Sequence, residues 1–303
     1  MLSRRILTVG LLSLPFKSSI ASNKVEDHYK TLNLLENYNN YKVKVTGGDI
    51  NIATFGNKNL PPIILLHKLG GRIEEWRRLI PKLIEYRYVI AMDLPGHGLS
   101  NNFSDPPFIV TQEELASKVM SVVDSIELTE PVSFLGSSLG GCISLVCAHL
   151  WPDRVSSVYT VGSAFNGLSS ISTLQKESIK SINNGQFDEN EFPIKRELTY
   201  ARDIFGVYNK EIALEMNLSR EQAGNWLQPI ARGVGRFNYL SILTSIQNKV
   251  YLYHGTRGNY GKFHKVAHKL LPNSFMRSIT NSGAFPHEEA SDRFWGYLIN
   301  DLA

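Results

Sequence analysis

The feature that most constrains this 303-residue chain is a strand that runs straight into a helix through a serine pair bounded by glycines. Val132–Leu135 is β-branched and apolar. Gly136-Ser137-Ser138-Leu139-Gly140-Gly141 follows at once, and Leu139–Leu150 then has the apolar composition of a buried helix closed by Trp151-Pro152. In so tight a turn the backbones of strand and helix nearly touch, which is why glycine is needed on both sides of Ser138. A strand–turn–helix of this kind belongs in a mainly parallel sheet covered by helices on both faces.

The rest of the chain alternates accordingly. Tyr41–Val45 and Ile50–Phe55 flank Gly47-Gly48 as an opening hairpin. Ile63–Leu66, Tyr88–Met92, Val155–Val161, Val250–Tyr253 and Met276–Ile279 read as strands. Ile73–Ile84, Phe263–Leu271 and Asp292–Leu302 read as helices. Thr111 and Glu114 form a capping box before the apolar stripe Leu115, Val119, Val122, Val123 and Ile126. Between Gly162 and Gln247 the alternation stops, with partly apolar helical pieces at Ile212–Met216 and Gln222–Leu227. The expectation is an α/β fold: a mostly parallel sheet of about eight strands, helices on both faces, and a helical cap inserted at about 163–247.

Residues 1–21 read as an export signal preceding a domain at 22–303. Ser3-Arg4-Arg5-Ile6-Leu7 resembles a twin-arginine motif, the apolar run Ile6–Phe16 is shorter than the roughly 20 residues that cross a bilayer, and Ser19-Ile20-Ala21 offers small residues for cleavage. Export implies a periplasmic or extracellular protein. Without this segment, which carries Arg4, Arg5 and Lys17 and no acid, the net charge of +4 falls to +1. No nucleic-acid partner is therefore expected. No other stretch is apolar and long enough to span a membrane. Cys142 and Cys147, five apart in one helix, point in different directions and read as buried apolar residues rather than a disulfide.

Gly136-Ser137-Ser138-Leu139-Gly140 matches the G-x-S-x-G nucleophile elbow in its proper strand–helix context. His67-Lys68-Leu69-Gly70-Gly71 follows the first parallel strand, Asp93-Leu94-Pro95-Gly96-His97-Gly98-Leu99-Ser100 the next, His254-Gly255 ends a late strand, and Gly283-Ala284-Phe285-Pro286-His287-Glu288 follows the last. In this order the motifs resemble the α/β-hydrolase family, of the carboxylesterase-like kind, over nearly all of the mature length. The resemblance implies a serine hydrolase acting on an ester or related acyl substrate. Ser138 would be the nucleophile, and the backbone N–H groups of Leu69 and Leu139 the oxyanion hole, with the helix dipole behind the latter. His67 would brace its own loop beside the substrate.

Three positions depart from the family's pattern. Lys68 stands where glycine is usual and brings an ammonium toward the pocket. Gly258 stands where the acid is expected, and Ala284 where the base is expected. A serine hydroxyl attacks poorly until a base takes its proton. Loss of the base histidine costs roughly 10⁶ in turnover in a serine protease, or about 8 kcal/mol of barrier, while oxyanion stabilisation and binding leave about 10³–10⁴ over water. His287, three residues past Ala284, is the first candidate for a replacement base. His97 on the same rim is the next; His254 is expected to face the core, and His264 and His268 to lie on an exposed helix. Asn259 is a further orienting group. Glu288 and Glu289 are expected to begin the last helix. Two functions follow: an impaired serine hydrolase, or a catalytically silent protein that binds a small acyl or anionic ligand. A lyase that uses only the pocket and oxyanion hole is a weaker third.

From Gln222 to His287 there is no Asp or Glu, yet the stretch carries Arg232, Arg236, Lys249, Arg257, Lys262, Lys265, Lys269 and Arg277. This is either a solvated basic face or a site for an anionic partner, with Arg257 at the rim as its foremost residue. No set of residues has the spacing of a metal site, since His264 and His268 lack further ligands. No phosphate-cradling loop is present, so no cofactor is expected.

Overall fold

The computed structural model describes residues 39–100, 103–165 and 168–302. The proposed export signal lies outside them. One sheet holds eight strands: β1 Asn39–Val45, β2 Gly48–Phe55, β3 Pro62–Leu66, β4 Tyr88–Met92, β5 Val132–Ser137, β6 Val155–Val161, β7 Lys249–Gly255 and β8 Ser274–Ile279. Their order is β1-β2-β4-β3-β5-β6-β7-β8. β1 and β2 form the expected hairpin, β2 lies antiparallel to β4, and every other neighbouring pair is parallel. The central strands β4 and β5 are buried along their whole length, as their unbroken apolar runs require, whereas the edge strand β1 is largely exposed.

Ile73–Ile84 is not one helix. Ile73–Trp76 is a single 3-10 turn and α1 spans only Ile80–Leu83, because Pro81 has no N–H to continue the ladder. Helix α2, Gln112–Ser125, starts as its capping box predicts: the Glu114 N–H donates to Thr111 Oγ1 at 3.1 Å. α3, Leu139–Leu150, fills the space under the sheet with Cys142 and Cys147, both buried and free. Among the described residues, five α-helices lie between β6 and β7: α4 Ile171–Asn183, α5 Thr199–Phe205, α6 Lys210–Ala223, α7 Leu227–Arg236 and α8 Tyr239–Leu243. The piece Gln222–Leu227 straddles a break, since α6 ends at Gly224, whose φ of 55° an L side chain rarely adopts. α9, Gly261–Leu270, and α11, Ser291–Asp301, complete the layers. Glu288 and Glu289 sit not on α11 but on a separate turn, α10 Pro286–Glu289.

Candidate active site

The carboxyl ends of β3 to β8 gather the motif residues on one rim. Ser138 occupies φ 47°, ψ −106°, a backbone conformation that costs on the order of 1–3 kcal/mol and is held by its surroundings. Its N–H donates to Val161 O at 2.8 Å, and its carbonyl accepts from Ser163 Oγ at 3.0 Å and from the Cys142 N–H at 3.1 Å. The flanking glycines are spatial necessities. A Cβ on Gly136 would lie 2.2 Å from Gly140 C, and one on Gly140 only 2.0 Å from Leu66 O.

The loop opposite is fixed by two neutral imidazoles. His67 Nε2 accepts the Leu94 N–H at 2.9 Å, so its proton sits on Nδ1, 2.7 Å from Lys68 O. His97 Nε2 accepts the Gly70 N–H at 3.0 Å, and its Nδ1 donates to Pro95 O at 3.0 Å. Burial pushes His67 down to about 4 and His97 down to about 3. Asp93 ties the same turn together, accepting from the N–H groups of Ile73 at 2.9 Å and Leu99 at 3.0 Å. Among the described residues the backbone N–H groups of Leu69 and Leu139 have no backbone acceptor, which leaves them available to an oxyanion.

Ser138 is partly exposed and opens on two cavities. One, of about 360 Å³, is lined by Lys68, Leu69, Arg196, Tyr200, Arg220 and Phe285 among others. The second, of about 380 Å³, lies toward Leu139, Cys142, Glu177, Arg232 and Val234. A larger hollow of about 610 Å³ sits at the opposite end of the strands, against Arg87, Tyr159 and Tyr251, and Ser138 takes no part in it.

Among the described residues no histidine lines either cavity beside Ser138. His287 is buried, its Nε2 2.8 Å from Glu75 Oε1 and its ring 4.6 Å from that of Trp76. Its Nε2 is thus engaged by Glu75, and the ring does not line either cavity. His264, expected on an exposed face, is fully buried: its Nε2 accepts the Ser163 N–H at 3.2 Å, and burial pushes it down to about 3. His268 faces outward to Ser274 Oγ, so these two histidines do not converge on a common ion. His254 faces inward to Ser278 Oγ at 2.8 Å, and His149 pairs with Ser245 Oγ on the surface. His28 lies outside the described residues. The carboxylates Glu177 and Glu197 line the cavities but are exposed, and a carboxylate is a far weaker base than an imidazole. Burial pushes the Tyr260 phenol and the Cys142 thiol, which also line them, up to about 12.

The two positions at which the resemblance expects an acid and a base adjoin: a Cβ on Gly258 would lie 3.1 Å from Ala284 N and 3.3 Å from its Cα. The space beside Ala284 is filled. Ala284 is wholly buried in an apolar cluster with Ala201, Val207, Ile212, Ala213 and Phe285, and its N–H donates to Phe205 O at 2.7 Å.

Lys68 does reach the cavity, but as half of a buried ionic cluster. Its Nζ lies 2.6 Å from Glu288 Oε2 and 3.0 Å from Glu75 Oε2, and 4.9 Å from the centre of the Phe285 ring. Burial favours the neutral amine, but Glu288 and Glu75 outweigh it and hold the ammonium above the usual lysine range. Lys68 is therefore no base. Glu75, Glu288 and His287 approach closely enough to share a cation, and the ammonium already supplies one. Nothing in the sequence announced this cluster, because its two halves, Lys68 with Glu75 and His287 with Glu288, are more than 200 residues apart.

The basic stretch is also rewritten by packing. Arg232 is paired with Glu191 at 2.7 Å, Arg277 with Asp301 at 2.7 Å, and Arg257 with Glu289 at 2.7 Å, each acid coming from outside the stretch. Arg257, foremost residue of the anionic-partner alternative, lies against Glu289 and the Tyr208 ring. Lys262, Lys265 and Lys269 remain as an exposed face.

The sequence pattern of the alpha/beta hydrolase fold matches residues 61–291. The chain is 33% identical over 123 residues to the dihydrolipoyllysine-residue acetyltransferase component of the acetoin cleaving system of Pseudomonas putida, which covers 41% of this chain and 32% of that protein. It is 31% identical over 126 residues to an Escherichia coli 2-hydroxy-6-oxononadienedioate/2-hydroxy-6-oxononatrienedioate hydrolase, covering 40% of this chain and 42% of that one. The chain thus spans under half the length of these curated relatives. In three dimensions it is similar to a naproxen esterase from Bacillus subtilis, with a TM-score of 0.72, 17% identity, and coverage of 94% of this chain and 99% of that one.

Proposed function

Because the chain belongs to the α/β-hydrolase family, we propose that it holds a small acyl compound, an ester or lactone, against the N–H groups of Leu69 and Leu139, and that cleavage by Ser138 is slow for want of a base. The observation that carries this reading is the joint state of the two cavities and Ala284. Among the described residues no imidazole lines the two cavities beside Ser138, and the position from which one would come is packed with apolar side chains. The esterase and hydrolase names of similar proteins support the acyl class. The resemblance of Ser3–Leu7 to an export motif supports a place outside the cytoplasm.

A second reading, an esterase with a non-standard base, is favoured by one fact. Ser138 keeps a strained backbone conformation that glycine would adopt freely, so the hydroxyl is retained at a cost.

A fluorophosphonate probe separates the two. Slow labelling of Ser138, lost in Ser138→Ala and without an inflection near pH 6–7, is expected. Rapid labelling with an inflection in that range would mean that an imidazole reaches the hydroxyl after all and would overturn the first reading.

A further inference from the structure

The cations near the site divide into two groups. Lys68, Arg72, Arg232 and Arg257 each have a carboxylate partner, at 2.6, 3.2, 2.7 and 2.7 Å. Arg196 and Arg220, which line the 360 Å³ cavity together with Ser138, pair with none among the described residues.

Both guanidiniums are held in place. Arg220 is 8% exposed and sits near the end of α6. A Cβ on Gly70 would lie 3.5 Å from its Cα and Cβ, which sets Arg220 directly against the loop carrying Leu69. Its Nη1 and Nη2 donate to the carbonyls of Ile194 at 2.9 Å and Gln186 at 3.0 Å, and its plane lies 4.6 Å from the Phe187 ring centre. Arg196 is clamped to α6 through its backbone: its N–H donates to Asn217 Oδ1 at 3.2 Å, and Asn217 Nδ2 donates to its carbonyl at 2.7 Å. Its guanidinium stacks 4.1 Å from the Tyr200 ring centre, and its Nε is buried with no hydrogen-bond partner.

We propose that Arg196 and Arg220 form a subsite for a carboxylate on the same ligand whose acyl carbon faces Ser138. Guanidiniums suit this task because their planar donor forks match a carboxylate. The charge count favours a monoanion. The one carboxylate lining that cavity and not already paired, Glu197, is exposed, so two cations face one acid. The electrostatics agree: burial lowers Arg220 to about 9, with Arg196 adding repulsion, and burial lowers Arg196 as well. A bound anion relieves all three penalties. The sequence offered Arg257 as the foremost residue if an anion binds; the unpaired charge lies instead at Arg196 and on α6.

This subsite rests on the acyl-binding reading of the same cavity, and the two can fail separately. The probes are monomethyl adipate, an ester with one carboxylate, and dimethyl adipate, its neutral counterpart, titrated into the protein by calorimetry at low and high salt. The monoanion is expected to bind at least about tenfold more tightly at low salt, with the preference shrinking as salt rises. Arg196→Gln, at a half-exposed position, and Arg220→Lys, which keeps the charge but not the fork, should each remove most of that preference. Unchanged thermal unfolding would show that each variant is folded. Equal binding of the two esters overturns the subsite and leaves the acyl reading standing. A preference that survives both substitutions puts the anion elsewhere and also overturns it. Tighter binding of monobutyl phosphate than of the adipate monoester overturns the carboxylate assignment. Binding of neither ester overturns both readings.

Discussion

The two halves of the rim have been preserved by different forces. Around β5 and α3 the geometry is fixed by backbone contact: Gly136 against Gly140, Gly140 against Leu66, Ser138 between Val161 and Ser163. Around the ends of β7 and β8 the positions where the resemblance places an acid and a base hold Gly258 and Ala284, which carry no titratable side chain. Gly258 adjoins Ala284, and the space beyond holds Ala201 of α5 and Ile212 and Ala213 of α6. A turn made of backbone cannot be altered without losing the sheet. Side chains at the strand ends are under no such contact constraint, so the two halves of the rim can vary independently.

The sharpest way to break this comparison is to add one methyl group on the preserved side. Gly140→Ala places a Cβ 2.0 Å from Leu66 O, where nothing flexible can yield. The expected loss exceeds about 4 kcal/mol, seen in urea unfolding or as failure to accumulate folded protein. A well-folded Gly140→Ala variant would show that the elbow is not held by contact.

Acid should act next most strongly, and again on the preserved side. His67, His97 and His264 are neutral when folded, with values of about 4, 3 and 3, against about 6.5 unfolded. Between pH 6.5 and 4 the unfolded chain therefore binds three more protons at these sites. Glu74 opposes them with one, since burial pushes it up to about 7 despite Arg72. The net of two protons makes stability fall by about 3 kcal/mol per pH unit as pH drops through that window. Glu75 acts in the same direction at lower pH. Burial alone would raise it, but Lys68 and His287 hold it well below the usual carboxylate range, so its contribution is lost as pH falls. Equilibrium unfolding at a series of pH values reads the slope; a flat profile from pH 7 to 4 would mean that these imidazoles are not buried neutral braces.

How far the sequence revealed all this follows the same division. The elbow, the hairpin, the capping box at Thr111 and the strand order of motifs were legible because each is set by residues close together in the chain. The break at Pro81 was legible in principle and hidden by the helical spacing around it. What could not be read was tertiary charge. Glu75 meets His287 and Lys68 meets Glu288 across more than 200 residues. Glu191, Glu289 and Asp301 neutralise arginines that looked unopposed in their own stretch. His264 looked exposed because three lysines share its helix, yet it points the other way, under Ser163. A charge count along a chain measures composition; which charges are free is decided by folding.

Placing an acid and a base at Gly258 and Ala284 tests the comparison from the other side, with a smaller effect. Gly258 has no positive φ, so Gly258→Asp is allowed by the backbone and requires a shift of only a few tenths of an ångström against Ala284. Ala284→His must push an imidazole into the cluster of Ala201, Val207, Ile212, Ala213 and Phe285, at about 1–3 kcal/mol of overpacking. Neither single variant is expected to raise turnover of a short-chain nitrophenyl ester, and the double is expected to do no better. A strongly super-additive double would mean that the cap yields and the site is dormant rather than refilled.

The smallest expected effect concerns Arg257, the cation nearest the vacated acid. Its side chain is 33% exposed, and its partner Glu289 also accepts from the Gly283 N–H at 2.8 Å and, through its other oxygen, from the Tyr208 N–H at 2.8 Å. Glu289 thus stays satisfied without it, and a half-exposed pair of this kind contributes under about 1 kcal/mol. Arg257→Gln should leave thermal unfolding nearly unchanged and should not alter the preference for monomethyl adipate over its diester. A loss of that preference on removing Arg257, with none on removing Arg196, would move the anion back to the rim and make the emptied acid position, not the cap, the centre of recognition.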